Sequence, residues 1–278
     1  MDTEAEFAAV RSDIAEGRLS DVPAKMRSIA EASGEPFTII KCMSLLKSVG
    51  DDSVMPDLME MLSASIRDDE TRLQSAMALR SLGYPSKALG LLKALGDGDT
   101  VLRESASCLM DMDENDEALD RLRGIREPTP QDGCMIVEAL GSLGEHSEAV
   151  EVASALLERH PGLYDVRLRY VSALISAGRQ KDAIKYARAA LKEKSADANA
   201  LAGYVMWVTG NVKSAGAYSS RAVQMDRSHV GAMEVLGLCL AEKGEIDKAR
   251  IVAGAINEVR PGDKAVLNIL SYCSMRSE

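Results

Sequence analysis

The sequence predicts an all-α fold: a solenoid of about eight helix-turn-helix repeats, closed by one further helix at the C-terminal end. Three observations carry the prediction. Turn residues recur at Gly17, Gly50, Gly83, Asp113, Gly144, Gly178, Gly210 and Gly244, spaced 33, 33, 30, 31, 34, 32 and 34 residues apart, and self-similarity at such periods marks helical arrays. Five residues after each turn stands an apolar residue: Val22 and Met55, then Ala88, Ala118, Ala149, Ala183, Ala215 and Ala249. Finally, hydrophobic residues make up 46% of the chain but aromatics only 4%. Alanine, leucine and methionine supply the apolar mass, which suits closely packed helices, and no sustained apolar/polar alternation suggests strands.

The elements follow in order. Glycine ends the first helix of a pair because it enters the left-handed conformation without steric cost. A small residue five positions later lets the returning helix approach closely. Seven residues beyond that come Ile29, Leu62, Leu95, Ile125, Leu156, Ala190, Ala222 and Ile256, two turns along the same face. Polar breaks close each pair: Gly34–Pro36, Asp68–Glu70, Gly96–Asp99, Glu127–Pro130, His160–Gly162, Ser195–Asp197, Arg227–Ser228 and Arg260–Gly262. They combine turn formers with residues able to cap the next helix. The hairpins are expected at about 3–35, 36–68, 69–98, 99–129, 130–163, 164–195, 196–229 and 230–263. A terminal helix in 264–278 should cover the last pair. Without a linker or low-complexity stretch, 1–278 reads as one continuous array.

Charge divides the chain unevenly. The formal net charge is −10. Residues 1–139 hold 15 Lys+Arg against 27 Asp+Glu, whereas 140–278 hold 18 against 16. Non-specific attraction to nucleic acid or anionic lipid is therefore not expected. Cys42, Cys108, Cys134, Cys239 and Cys273 are widely spaced, odd in number and never in a Cys-x-x-Cys arrangement, so buried thiols in a reducing cytoplasm are expected, without metal or redox chemistry. The acidic start, Met1 to Glu6, has no apolar core of a secretory signal. The longest apolar run, Ala200–Val208, is far too short to span a bilayer.

Motifs for chemistry are sparse. His146, His160 and His229 fall at or beside turns, where solvated side chains are expected, and no acid at short spacing would orient them as bases. No phosphate loop, Gly-x-Ser-x-Gly or His-Glu-x-x-His pattern occurs. The acidic run Asp111–Glu117 lacks the glycine and glutamate of a calcium loop: those places hold Asp116 and Leu122. An acidic first turn at the positive end of a helix dipole accounts for it better. The helix after Gly178 carries Arg179, Lys181, Lys185, Arg188, Lys192 and Lys194. That stripe reads chiefly as a solvated outer face.

Residues 130–263 resemble tetratricopeptide repeats through the spacing, the turn glycine, the following alanine and the closing prolines Pro161 and Pro261. The match is degenerate. Where the family has Trp, Leu, Gly and Tyr on the first helix, residues 230–263 have Met233, Leu236, Gly237 and Leu240, and residues 196–229 have Asn199, Ala202, Gly203 and Met206. The stretch 36–126 also resembles short HEAT repeats, as in Gly50–Leu62 and Glu70–Gly83. The tetratricopeptide resemblance implies that first helices line a groove for extended peptides. Its positions here are Cys134, Glu138, Leu168, Ser172, Ile175, Ala200, Tyr204, Trp207, Val208, Glu234, Leu238 and Ala241. Leu168, Ser172, Ile175, Tyr204, Trp207, Val208, Glu234 and Leu238 are the candidate contact residues, with the only tryptophan at the centre. The same aromatic residues would serve equally as packing between hairpins. The family's carboxylate clamp is not matched: its lysine, asparagine and arginine places hold Leu168, Ser172, Leu201, Gly231 and Val235.

These readings converge on a cytoplasmic, non-enzymatic scaffold or adaptor that binds a protein segment, with no cofactor, no metal, no nucleic acid and no membrane insertion. Two alternatives remain at this level. The acidic N-terminal half could dock onto a basic component of a larger assembly. A HEAT-like solenoid could instead act as an enzyme or cofactor-attachment factor, with Asp111 or Asp113 as its acid.

Overall fold

The computed structural model describes residues 3–276, and in them every regular element is helical. Contacts group the chain into two compact units, Met1–Glu127 and Pro128–Glu278.

The first unit is four antiparallel pairs: α1 (Thr3–Ala15) with α2 (Val22–Ser33), α3 (Pro36–Val49) with α4 (Met55–Ser65), α5 (Asp69–Ser81) with α6 (Pro85–Leu92), and α7 (Asp99–Asp111) with α8 (Asn115–Arg123). The interior of the first three pairs is one cluster running from Phe7 and Val10 through Met26, Ile39, Met43 and Leu58 to Leu79, Ala88 and Leu92, and it reaches Cys108 of α7. The short turn-to-turn spacings have a simple cause. Helices α6 and α8 are only 8 and 9 residues long, so each following first helix arrives early.

The second unit repeats the plan with α9 (Pro130–Ser142) and α10 (His146–Arg159), α11 (Tyr164–Ser176) and α12 (Gln180–Ala190), α13 (Ala196–Val208) and α14 (Val212–Met225), then α15 (Val230–Glu242) and α16 (Ile246–Val259). Helix α17 (Lys264–Arg276) lies against both α15 and α16. It covers the last pair through Ala265, Ile269 and Cys273. Its outer side is less polar than a terminal cap would suggest, because Leu267 and Leu270 stay exposed. Ser277 and Glu278, part of the segment assigned to this helix from the sequence, lie outside the described residues.

All eight marker residues have positive φ, from 63° at Asp113 to 86° at Gly83. The backbone thus turns left-handed at the same place in every pair, and Asp113 substitutes for glycine by accepting a hydrogen bond from Asn115 Nδ2 at 2.8 Å. The residues five positions on are buried in every case, and the six alanines are at most 1% exposed. Some helix starts are fixed by side-chain caps: Asp68 accepts from the Thr71 N–H at 2.8 Å, and Ser195 from that of Ala198 at 3.1 Å. At α9, Thr129 and the buried Asp132 cap each other reciprocally.

First-helix glycines in the second unit are needed for close approach. A Cβ on Gly203 would stand 2.3 Å from Ser219 Oγ and 3.2 Å from its backbone nitrogen, and one on Gly237 would meet Ile269 Cδ1 at 2.6 Å. These are the two glycines at the family position, and they set how tightly α13 packs on α14 and α15 on α17.

Candidate interaction surface

In the second unit the first helices pack in sequence, α9 on α11, α11 on α13, α13 on α15 and α15 on α17. Their inner sides form one continuous face. Residues at equal register on successive helices fall into rows. One row is Cys134, Leu168, Ala200, Glu234 and Asn268, and the next is Glu138, Ser172, Tyr204, Leu238 and Tyr272.

Seven of the eight candidate residues are half-buried: Leu168, Ser172, Ile175, Tyr204, Trp207, Glu234 and Leu238. Val208 is more open, at 44% exposure. Tyr204 and Ser172 share a hydrogen bond of 2.9 Å between α13 and α11. The edge of Trp207 meets the ring of Tyr272, centroids 5.7 Å apart. Helix axes pack about 8–10 Å apart, so in a flat row α13 and α17 would be separated by about 16–20 Å. Contact between their side chains across α15 means that the face curves inward at Trp207. Leu238 lies in the cluster beneath, against Tyr272.

Three positions expected on the groove belong to the interior instead. Cys134, Ala200 and Ala241 are buried to 2%, 0% and 0% exposure, because small side chains there let neighbouring first helices close over them. In exchange, α17 brings residues that the sequence reading left out. Asn268 donates to Glu234 at 2.7 Å. Tyr272 and Arg276 both hydrogen-bond the Glu242 carboxylate, which lowers that group's pKa, mainly through Tyr272. At the other end Arg169 pairs with Glu138 at 2.6 Å.

At the N-terminal ends of α11, α13 and α15 lies a second cluster. Tyr164 and His229 pack edge to face, centroids 4.7 Å apart. His229 Nδ1 accepts the Ala232 N–H at 3.2 Å and so caps α15, while Nε2 lies 3.4 Å from Asp197. This corrects the expectation of a solvated histidine without an acidic partner. The side chain is only 8% exposed, and its partner comes from 32 residues earlier, a separation that spacing along the chain does not reveal. His146, likewise expected in solvent, is half-buried. Burial raises the pKa of the Tyr164 phenol well above its ordinary range, helped by Asp197, Asp165, Tyr204 and Glu234.

Residues 134–199 match the family model described as tetratricopeptide repeat. Among solved structures, a tetratricopeptide repeat protein from Parabacteroides merdae superposes with a TM-score of 0.51 at 12% identity, over 86% of this chain and 98% of its own. A thermophilic tetratricopeptide-repeat protein of Thermus thermophilus gives 0.42 at 17% identity, over 74% and 98%. A search of curated proteins returned no match. The chain has a helical-repeat fold similar to that of tetratricopeptide repeat proteins. Among the described residues, no helix is long and apolar enough to cross a membrane.

Proposed function

We propose that this chain is a non-enzymatic, cytoplasmic scaffold or adaptor that holds an extended segment of another protein on the first-helix face of its second unit. The contacts are Leu168, Ser172, Ile175, Tyr204, Trp207, Val208, Glu234 and Leu238. The observation that carries this is the position of the aromatic residues. Tyr204 and Trp207 are half-buried on a curved face, where their rings offer large contact area at little entropic cost. Affinity capture from cell extract with the wild-type chain, Trp207→Ala and Tyr204→Ala tests it, with thermal melts to confirm folding. A stoichiometric protein partner retained by the wild type and lost by folded variants supports the proposal. Undiminished capture by Trp207→Ala, or no stoichiometric partner at all, overturns it.

A further inference from the structure

The second unit is electrically neutral, with 18 Lys+Arg and 18 Asp+Glu in residues 128–278, but charge is unevenly placed on its middle pairs, while the second helices α10 and α16 carry Glu148, Glu151, Glu158, Asp247 and Glu258. The second helices α12 and α14 carry Lys181, Lys185, Arg188, Lys213 and Arg221 against Asp182 alone. The first helices α11, α13 and α15 carry Asp165, Asp197, Glu234 and Glu242 against Arg167 and Arg169. Both of those arginines are engaged. Arg167 is held in a two-pronged pair with Glu193, 2.7 Å on each arm, and Arg169 is held by Glu138.

The carboxylates on the face are compensated less fully. Glu234 accepts from the neutral Asn268 amide, and no cation stands within ion-pair distance of it or of Asp165 among the described residues. Asp197 faces His229 at 3.4 Å. Asp165 and Asp197 hold equal register on α11 and α13, Glu234 stands about one turn further along the face on α15, and Tyr164, whose ring packs on the Ala200, Ala222 and Ala232 cluster, meets His229 beside Asp197. The Tyr164 hydroxyl makes no hydrogen bond among the described residues. Tyr204 and Leu238 occupy the next row along the face, and Trp207 lies about one turn beyond them on α13.

We infer that the segment held on this face is basic: an extended stretch in which a lysine or arginine sits among Asp165, Asp197 and Glu234 and apolar neighbours lie on Trp207 and Leu238. The inference rests on the groove reading above and adds the chemistry of the occupant. A cation there supplies counter-charge to the carboxylates of the face, and complementary charge across an interface favours the matching partner. The ring of Tyr204 adds a cation–π surface. An acidic segment would meet uncompensated carboxylates, and such like-charge contact is repulsive.

The test uses the full chain with Trp207 emission as the reporter, since the protein has no other tryptophan. Three acetylated, amidated peptides are titrated in: a repeat of leucine, serine and arginine, and the same peptide with glutamine or with glutamate in place of arginine. The basic peptide is expected to bind at least about tenfold more tightly than the glutamine peptide, with an advantage that shrinks at high salt. The double variant Asp165→Asn/Glu234→Gln should lose about that tenfold advantage, binding the basic peptide no more tightly than it binds the glutamine peptide. The double variant Glu151→Gln/Glu258→Gln, an equal charge change on the second helices α10 and α16, should alter neither. If the glutamine or glutamate peptide shifts Trp207 emission as effectively as the basic one, the charge inference falls and the groove stands. The same conclusion follows if the double variant binds the basic peptide undiminished. If no peptide perturbs Trp207, both fall.

Discussion

The rings of Trp207 and Tyr272 meet edge to face, planes inclined at 73° and centroids 5.7 Å apart, although a whole helix, α15, separates their helices in the row of first helices. The contact makes α17 part of the candidate surface as well as a cover for the last pair. Tyr272→Ala should cost about 2–3 kcal/mol, from lost packing and the lost aromatic pair, and should shift Trp207 emission to the red. Tyr272→Phe keeps the ring and gives up the hydrogen bond to Glu242, so the emission should hold while stability falls by about 1 kcal/mol. Urea unfolding followed by fluorescence and circular dichroism separates the two. An unmoved emission in the alanine variant would refute the arrangement.

Gly203 tests the close approach of α13 to α14. Gly203→Ala should destabilise the second unit by about 1–3 kcal/mol, since a methyl group has no room beside Ser219. The Ser219 hydroxyl is buried without a partner, so Ser219→Ala alone should be nearly neutral or slightly stabilising. Combined, the second change should recover part of the first, because the oxygen is the nearer obstacle and the backbone nitrogen remains. A double-mutant cycle in urea measures the coupling. Strict additivity would show that the crowding lies elsewhere.

The thiols offer a reading of each unit separately. Burial pushes Cys42 up to about 12, and Cys108, Cys134 and Cys239 up to about 11. Against an ordinary thiol at 9.0, a value of 11 leaves roughly a hundredfold less thiolate at pH 8. Alkylation of the native protein by iodoacetamide should therefore be slow at these four sites. Pulse alkylation at increasing urea, read by mass spectrometry, should show Cys42 and Cys108 becoming reactive together, as one unit opens. Rapid labelling of any of the four in the native state would contradict the burial.

The Arg167–Glu193 pair gives a pH dependence with a definite sign. The hydrogen bonds from Arg167 hold the Glu193 carboxyl below its ordinary 4.5. Its contribution is thus present above pH 4.5 and is lost as the pH falls through the lowered value in the folded state. The stability difference between wild type and Glu193→Gln should be constant near neutrality and shrink below about pH 4.5. Urea midpoints measured across pH 3 to 7 provide the check. A difference that grows on acidification would reverse the assignment.

Much of the fold was legible in the chain because its signals are local. The turn residues are visible one by one, since a left-handed backbone selects glycine or an aspartate held by a local hydrogen bond, such as Asp113 with Asn115. The interface alanines are visible because close helix packing repeats at a fixed offset. The candidate surface was only partly legible. Tyr204, Trp207 and Leu238 could be placed by register, but Cys134, Ala200 and Ala241 share that register and are buried. Periodicity gives the direction in which a side chain points, and the size of its neighbours determines whether it reaches the surface.

By itself the sequence determined the helical pairs, their turns and their packing face, each of which follows from signals local to one helix or one turn and repeated along the chain. Tertiary structure alone decided which distant residues meet: Asp197 with His229, Glu234 with Asn268, and Trp207 with Tyr272. Those encounters depend on the curvature accumulated over successive first helices. Curvature is set by how closely side chains such as Ser219 and Ile269 allow the helices to approach at Gly203 and Gly237, and no single repeat encodes it.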